Sequence, residues 1–225
     1  QDLHGRADAF VALKNYKAAA MDFSSILRIT PQDSNALVGR ARCNVQLEDY
    51  DGAIADYAQA SESGSGTADE IKSEYAMAHM ARGDLAFKNN RYGYALHDYT
   101  TAIQIDPSIT PLANNAMASL FLAQAQLLPL DTPENLLARR KLLDSVLKQR
   151  PTDQLALRLR GEVNYRLGEF NKSIADYSDA IELDPDDTYS LLQRERIYRR
   201  IGELEKAIAA FPAAIRINET LDVAF

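Results

Sequence analysis

The chain contains no tryptophan, one cysteine and three histidines among 225 residues. With Cys43 alone, no intrachain disulfide can form, and the redox compartment stays open. Its place on an expected packed face makes it a small buried hydrophobe rather than a reactive thiol. His4, His79 and His97 have neither metal-ligand spacing nor a cysteine companion, so no metal site is expected. Glycine clusters at Gly64 and Gly66, inside a serine-rich stretch with no preceding strand, which excludes a phosphate-cradling loop there. No nucleophile and base stand in a catalytic order. Neither an enzyme nor a cofactor is expected.

Basic charge is also short. Lys and Arg number 25 against 32 Asp and Glu, a net charge of −7, so bulk charge gives no reason to expect nucleic acid or an anionic membrane as partner. No run of about 18 apolar residues exists to insert into a bilayer. No secretory leader is legible, yet the chain opens on Gln1 instead of Met. The expectation is that a signal peptide or more protein preceded it. The reading is a soluble chain, cytoplasmic or, if a leader was removed, periplasmic or secreted.

What the chain does have is a recurring phrase. Tyr16-Lys17-Ala18-Ala19-Ala20-Met21-Asp22-Phe23 returns as Tyr50-Asp51-Gly52-Ala53-Ile54-Ala55-Asp56-Tyr57, then from Tyr92 to Tyr99 and from Phe170 to Tyr177. The first interval is 34 residues and the second, Tyr50 to Tyr92, is 42. Prolines give a second ruler: Pro151 to Pro185 is 34, while Pro107 to Pro151 is 44 and Pro31 to Pro107 is 76. The period is 34 with two insertions. A fixed period of this length points to stacked supersecondary units, each burying an apolar face only against a neighbour.

Small residues recur in the first helix of the unit as Ala7, Ala41, Gly83 and Gly161. The second helix repeats an aromatic (Tyr16, Tyr50, Tyr92, Phe170), a small crossing residue (Ala19, Ala53, Ala95, Ser173, Ala207) and another aromatic (Phe23, Tyr57, Tyr99, Tyr177, Phe211). This 34-residue pattern with its closing proline resembles the tetratricopeptide repeat family. The resemblance implies an all-α fold, a right-handed superhelical solenoid of antiparallel helix pairs. About six repeats are read, at 1–33, 34–67, 76–109, 110–153, 154–187 and 188–221. Residues 61–66 form a Gly/Ser linker, with Thr67 and Glu70 as a capping box behind it. The linker is read as a mobile loop or as a hinge between a two-repeat and a four-repeat segment. The fourth repeat is degenerate: its first helix lacks the motif, and Thr132-Pro133 opens its second. Pro212 is expected to kink the last helix, and 218–225 to form a partial capping helix.

One pattern goes beyond the family. Arg6, Arg40, Arg82, Arg160 and Arg194 share one register, and aspartate follows sixteen residues later as Asp22, Asp56, Asp98 and Asp176, with Ala210 breaking the series. Equal spacing in a stacked array implies equal geometry, so an Arg–Asp ladder is expected within repeats or between neighbours.

The resemblance also implies a concave face lined by first helices as the binding surface. There the middle repeat places Met77, Met80 and Phe87, suited to an apolar side chain. The last two repeats place Arg158, Glu162, Tyr165, Arg166, Tyr189, Gln193, Arg196, Arg199 and Arg200. Arginine and tyrosine dominate binding hot spots, and guanidinium groups favour carboxylates. The chaperone clamp of the family is absent: His4, Asp8, Gly39, Met77 and Ala81 stand at its places. So is the asparagine ladder of the sugar-transferring members, replaced by Gly5, Gly39, Ala81, Leu159 and Gln193. The expected role is a protein–protein interaction scaffold or adaptor that binds a protein or peptide segment, acidic at the C-terminal end. Self-assembly into a homo-oligomer, or service as a regulatory or targeting module of a larger enzyme, are the alternatives.

Overall fold

The computed structural model describes residues 2–62 and 68–207. The described residues form helices, with no strand among them. In chain order they are α1 (Leu3–Ala12), α2 (Tyr16–Ile29), α3 (Ser34–Gln46), α4 (Tyr50–Glu62), α5 (Ala68–Lys88), α6 (Tyr92–Ile105), α7 (Thr110–Leu127), α8 (Pro133–Gln149), α9 (Gln154–Arg166), α10 (Phe170–Leu183) and α11 (Thr188–Ile201). A 3₁₀ turn, Pro107–Ile109, precedes α7. The chain divides into two compact units, 1–116 and 117–225, and the division falls within α7. In the N-terminal unit, α1 through α6 pack in sequence, each against the next. In the C-terminal unit α8, α9, α10 and α11 do the same.

The helix ends are set by local chemistry. Asp2, Asp33, Asp153 and Asp187 each accept the backbone N–H three residues on, satisfying a donor that the helix itself leaves free. Thr132 does the same for Asn135 at 3.1 Å, with Pro133 in the first turn, so α8 starts where the sequence placed it. Ser61 and Glu62 belong to α4; the remainder of the expected linker and the capping box at Thr67 lie outside the described residues, or have no described side chain. So do Pro212 and the expected capping helix at 218–225. Between first and second helices the chain turns through a left-handed residue. Lys14, Glu48 and Asn90 have φ of 57°, 60° and 58°, and Gly168 and Gly202 take the same place at 76° and 82°.

Inside each helix pair, small residues admit the aromatics. A Cβ at Gly83 would sit 2.8 Å from the ring of Tyr99, so only glycine lets that ring close. Ala7, Ala19, Ala41 and Ala53 are fully buried, as are Tyr57, Tyr99 and Tyr177 to within 2%. The core of the N-terminal unit gathers Phe23, Leu37, Tyr57 and Ile71; that of the C-terminal unit gathers Leu143, Val146, Leu157 and Val163.

The ladder is present, and it is formed within repeats. Arg6, Arg40, Arg82 and Arg160 reach Asp22, Asp56, Asp98 and Asp176 through Nη2 at 2.7, 2.6, 2.7 and 2.6 Å, and through Nε as well. The aspartates are 6, 4, 2 and 3% exposed, so each charge is desolvated and held by a fork of donors. The remaining Nη1 reaches back to the preceding second helix: Arg40 to Ser24, Arg160 to Asp144, Arg194 to Ser178. Arg82 follows the insertion and takes Asp51 of α4 instead. Thus the arginine joins its own repeat to the one before it.

Candidate functional site

The first-helix face of the C-terminal unit brings most of its expected site residues into contact. The guanidinium of Arg158 lies 4.5 Å from the ring centre of Tyr189, with its Nε 3.8 Å from Asp187. Tyr189 in turn meets the buried Tyr177 edge-on at 6.2 Å. Arg196 and Arg200 both lie 5.5 Å from the centre of Tyr165, and Arg200 also covers Phe170 at 5.4 Å. Arg200 Nη1 donates to the Tyr165 hydroxyl at 3.1 Å. Stacking on an aromatic face holds a guanidinium in place while leaving its donors outward.

Carboxylates are unevenly shared. Arg166 donates to Glu162 at 3.0 Å, and Arg199 stands 3.4 Å from Glu195, both one turn apart on their own helices. Arg196 and Arg200 have no carboxylate partner among the described residues and are exposed. Gln193 is half-buried beside them. One charged neighbour was missed in the sequence. Arg139 of α8 occupies the register of Ala19, Ala53, Ala95 and Ser173, and it is 7% exposed. Its Nη1 donates to the Leu128 carbonyl at 3.0 Å, while Nε is buried without a partner. Burial pushes this guanidinium down, and the charge of Glu162 only partly offsets it. The degenerate fourth repeat hid the register in which an arginine replaces a small residue.

The expected apolar patch in the N-terminal unit needs correction. Met77 is 43% exposed, but Met80 is 4% exposed and belongs to the packed interior. The same register in α3 holds Val38, also buried, at 7%. In α3 and α5 the apolar side chain at this position folds into the helix seam, whereas Leu192 at the equivalent place in α11 is 46% exposed and Arg158 in α9 is half-buried. Phe87 is half-buried and packs on Tyr92 at 6.0 Å, so it offers less free surface than expected.

The same face of the N-terminal unit carries a polar arrangement that the pattern did not show. Arg42 donates through Nε and Nη2 to both oxygens of Glu74 at 2.8 Å, and the buried Tyr57 hydroxyl donates to Glu74 at 2.9 Å. The Arg42 hydrogen bonds hold Glu74 below the usual carboxylate range, against burial. Burial, with the Glu74 charge behind it, pushes the Tyr57 phenol up. His4 meets Asp33 at 3.1 Å. Cys43 is 1% exposed, and burial pushes its thiol up, the state of an inert core residue. No cluster of metal-ligating side chains occurs among the described residues, and no described helix is long and apolar enough to cross a membrane.

Models of the tetratricopeptide repeat match residues 4–68, 45–110 and 154–187. Dynein axonemal assembly factor 4 of Rattus norvegicus is 27% identical over 114 residues, which is 51% of this chain and 27% of that protein. The small glutamine-rich tetratricopeptide repeat-containing protein 2 of Mycosarcoma maydis is 25% identical over 119 residues, 53% of this chain and 32% of that one. The matches thus span about a third or less of these relatives' length. Among solved structures, the TPR2AB-domain:pHSP90 complex of yeast Sti1 aligns with 18% identity and a TM-score of 0.46, over 96% of this chain and 89% of that chain. The first TPR of Spaghetti (RPAP3) bound to an HSP90 peptide aligns with 18% identity and a TM-score of 0.36, over 58% and 95%.

Proposed function

This chain belongs to the tetratricopeptide repeat family, and from that premise we propose that it is a protein–protein interaction scaffold whose C-terminal unit holds an acidic segment of a partner on the first-helix face of α9 and α11. The observation that carries the reading is the pair Arg196 and Arg200. Both are exposed, both lie over Tyr165, and neither has a carboxylate among the described residues. A guanidinium already fixed against an aromatic loses little further freedom when a carboxylate arrives, so its hydrogen bonds convert more fully into affinity. Arg158 over Tyr189 extends the same surface by one more stacked cation. Arg166 and Arg199, paired to Glu162 and Glu195, belong to its rim. Met77 remains an exposed apolar contact in the other unit.

The test is an affinity capture of partners from the source cells with the wild-type chain and with Arg196→Glu/Arg200→Glu, followed by titration of the captured partner. Reversal of both charges should weaken binding by about a hundredfold or more while helicity by circular dichroism is unchanged. Equal affinity of the two proteins removes this surface from the function.

A further inference from the structure

An open groove of about 790 Å³ lies between α2 and α4, lined also by Arg6 of α1 and by Arg40 and Asn44 of α3. Its floor is low because Ala20, Gly52 and Ala55 carry so little side chain. Along its α2 wall stand Lys17, Met21 and Arg28, whose spacing puts them on one side of the helix. Met21 is 65% exposed, and Leu47 on the opposite wall is 45% exposed. Two of the three carboxylates in the lining are paired with arginines, and the third, Asp49, is exposed at the start of α4. Asp22 and Asp56 are closed by Arg6 and Arg40, and Asp49 accepts the backbone N–H of Gly52 at 3.1 Å. Among the described residues Lys17 has no partner, and Arg28 donates only to the Ser25 hydroxyl at 2.9 Å.

Two cations without an ion-pair partner among the described residues, against the one free carboxylate of Asp49, therefore flank an exposed methionine in a chain whose net charge is −7. The lining of this groove holds four basic and three acidic side chains, whereas the α8/α10 groove holds three of each and the α4/α6 groove two of each. In the corresponding groove between α8 and α10, Arg140 and Lys172 both pair with Glu169, at 2.6 and 2.5 Å. Between α4 and α6, Arg82 is shared by Asp98 and Asp51.

We propose that the α2/α4 groove is a docking site for an amphipathic, acidic helix of a partner protein, with its apolar face on Met21 and Leu47 and its carboxylates on Lys17 and Arg28. Lys17 and Arg28 are eleven residues apart, about 16 Å along the helix axis. A partner helix lying along α2 brings two acidic side chains with that same sequence separation beside the two cations. Glycine and alanine on the floor let its backbone approach, and the mode is that of a helix lodged in a groove. This site is independent of the Arg196 and Arg200 surface.

The probe is an alanine-based helical peptide of about 16 residues, carrying two Glu eleven residues apart and two Leu between them on the same face. A control peptide replaces each Glu by Lys. Binding is read by fluorescence anisotropy and by the methyl resonance of Met21 in protein labelled with [13C-methyl]methionine. The Glu peptide should shift the Met21 signal and bind at least about tenfold more tightly than the Lys peptide. Ala55→Leu, an exposed substitution that fills the groove, should abolish binding with helicity intact, and Arg28→Glu should remove the preference for Glu. Arg196→Glu/Arg200→Glu should leave all of this unchanged. An unmoved Met21 signal, equal affinity for the two peptides, or full binding by Ala55→Leu overturns the proposal. Binding lost in the Arg196→Glu/Arg200→Glu protein also overturns it, because the peptide then sits on α9 and α11.

Discussion

Arg160 closes on Asp176 at 2.6 Å through Nη2 and 3.0 Å through Nε, and only 4% of the aspartate side chain is exposed. Asn164 adds a third donor at 2.8 Å. Removing Arg160 leaves Asp176 buried without its ionic partner, so Arg160→Ala should cost about 3 kcal/mol in urea unfolding; Asp176→Ala should cost less, because Arg160 is 25% exposed and keeps Asp144 at 2.8 Å. The double variant should lose far less than the sum, a coupling of at least about 1 kcal/mol. A cycle that closes with zero coupling contradicts the ladder. Arg6→Ala should cost less, because half of that side chain already faces water.

Acid should unfold the N-terminal unit by a traceable route. Burial pushes Asp98 up, but hydrogen bonds from His79 and Arg82 outweigh it and hold the carboxyl below its ordinary value. Asp22 is held down by Arg6, with burial opposing. Each group therefore takes its proton more readily in the unfolded chain. Their contribution is complete above about pH 4 to 5 and is lost as pH falls through the lower folded values. Urea midpoints measured from pH 7 to pH 3 should drop for the wild type. For Asp98→Asn, already weaker at pH 7, they should drop less steeply.

The turns between first and second helices hold a stabilising substitution in reserve. Lys14 and Glu48 sit at φ of 57° and 60°, a region that costs little only for glycine. Lys14→Gly and Glu48→Gly should each raise stability by about 0.5 to 1 kcal/mol, and Gly168→Ala at the equivalent turn should lower it by a similar amount. Thermal melts of the three variants decide this, and a destabilised Glu48→Gly would count against the assigned backbone.

Arg139 tests the opposite logic from the ladder. It is 7% exposed and its Nη1 bonds only to the Leu128 carbonyl. An apolar residue of similar length relieves the desolvated charge at the loss of one hydrogen bond. Arg139→Met should keep or raise the melting temperature, whereas Arg139→Ala should lower it by opening a cavity. A sharp loss in the methionine variant would show that the charge itself is required.

The period, the helix pairs and the ladder were legible because each is carried by residue identity at a fixed spacing. Thr132 and Pro133 announced α8 for the same reason, since capping and a fixed φ are local properties. The left-handed turns at Lys14 and Glu48 were not legible, because the residues there do not advertise the conformation; Asn90, Gly168 and Gly202 in the same register could have suggested it. Met80 was misplaced because register gives the direction of a Cα–Cβ bond but not whether an apolar chain folds back into the seam. The surface arginines were found by type and position. Which of them spend their charge on Glu162, Glu195 or Asp187 depends on side-chain reach, which sequence spacing does not encode. The α2/α4 groove escaped notice since its walls come from two repeats and its floor from side chains too small to register.

The backward contact of the ladder gives the chain a direction in time. Arg40, Arg82, Arg160 and Arg194 each bond to a residue that precedes them: Ser24, Asp51, Asp144 and Ser178. During synthesis that acceptor emerges before its arginine, while the repeat's own aspartate follows sixteen residues later for the first three. In the second, third and fifth repeats the acceptor behind the arginine is thus available before the aspartate ahead of it.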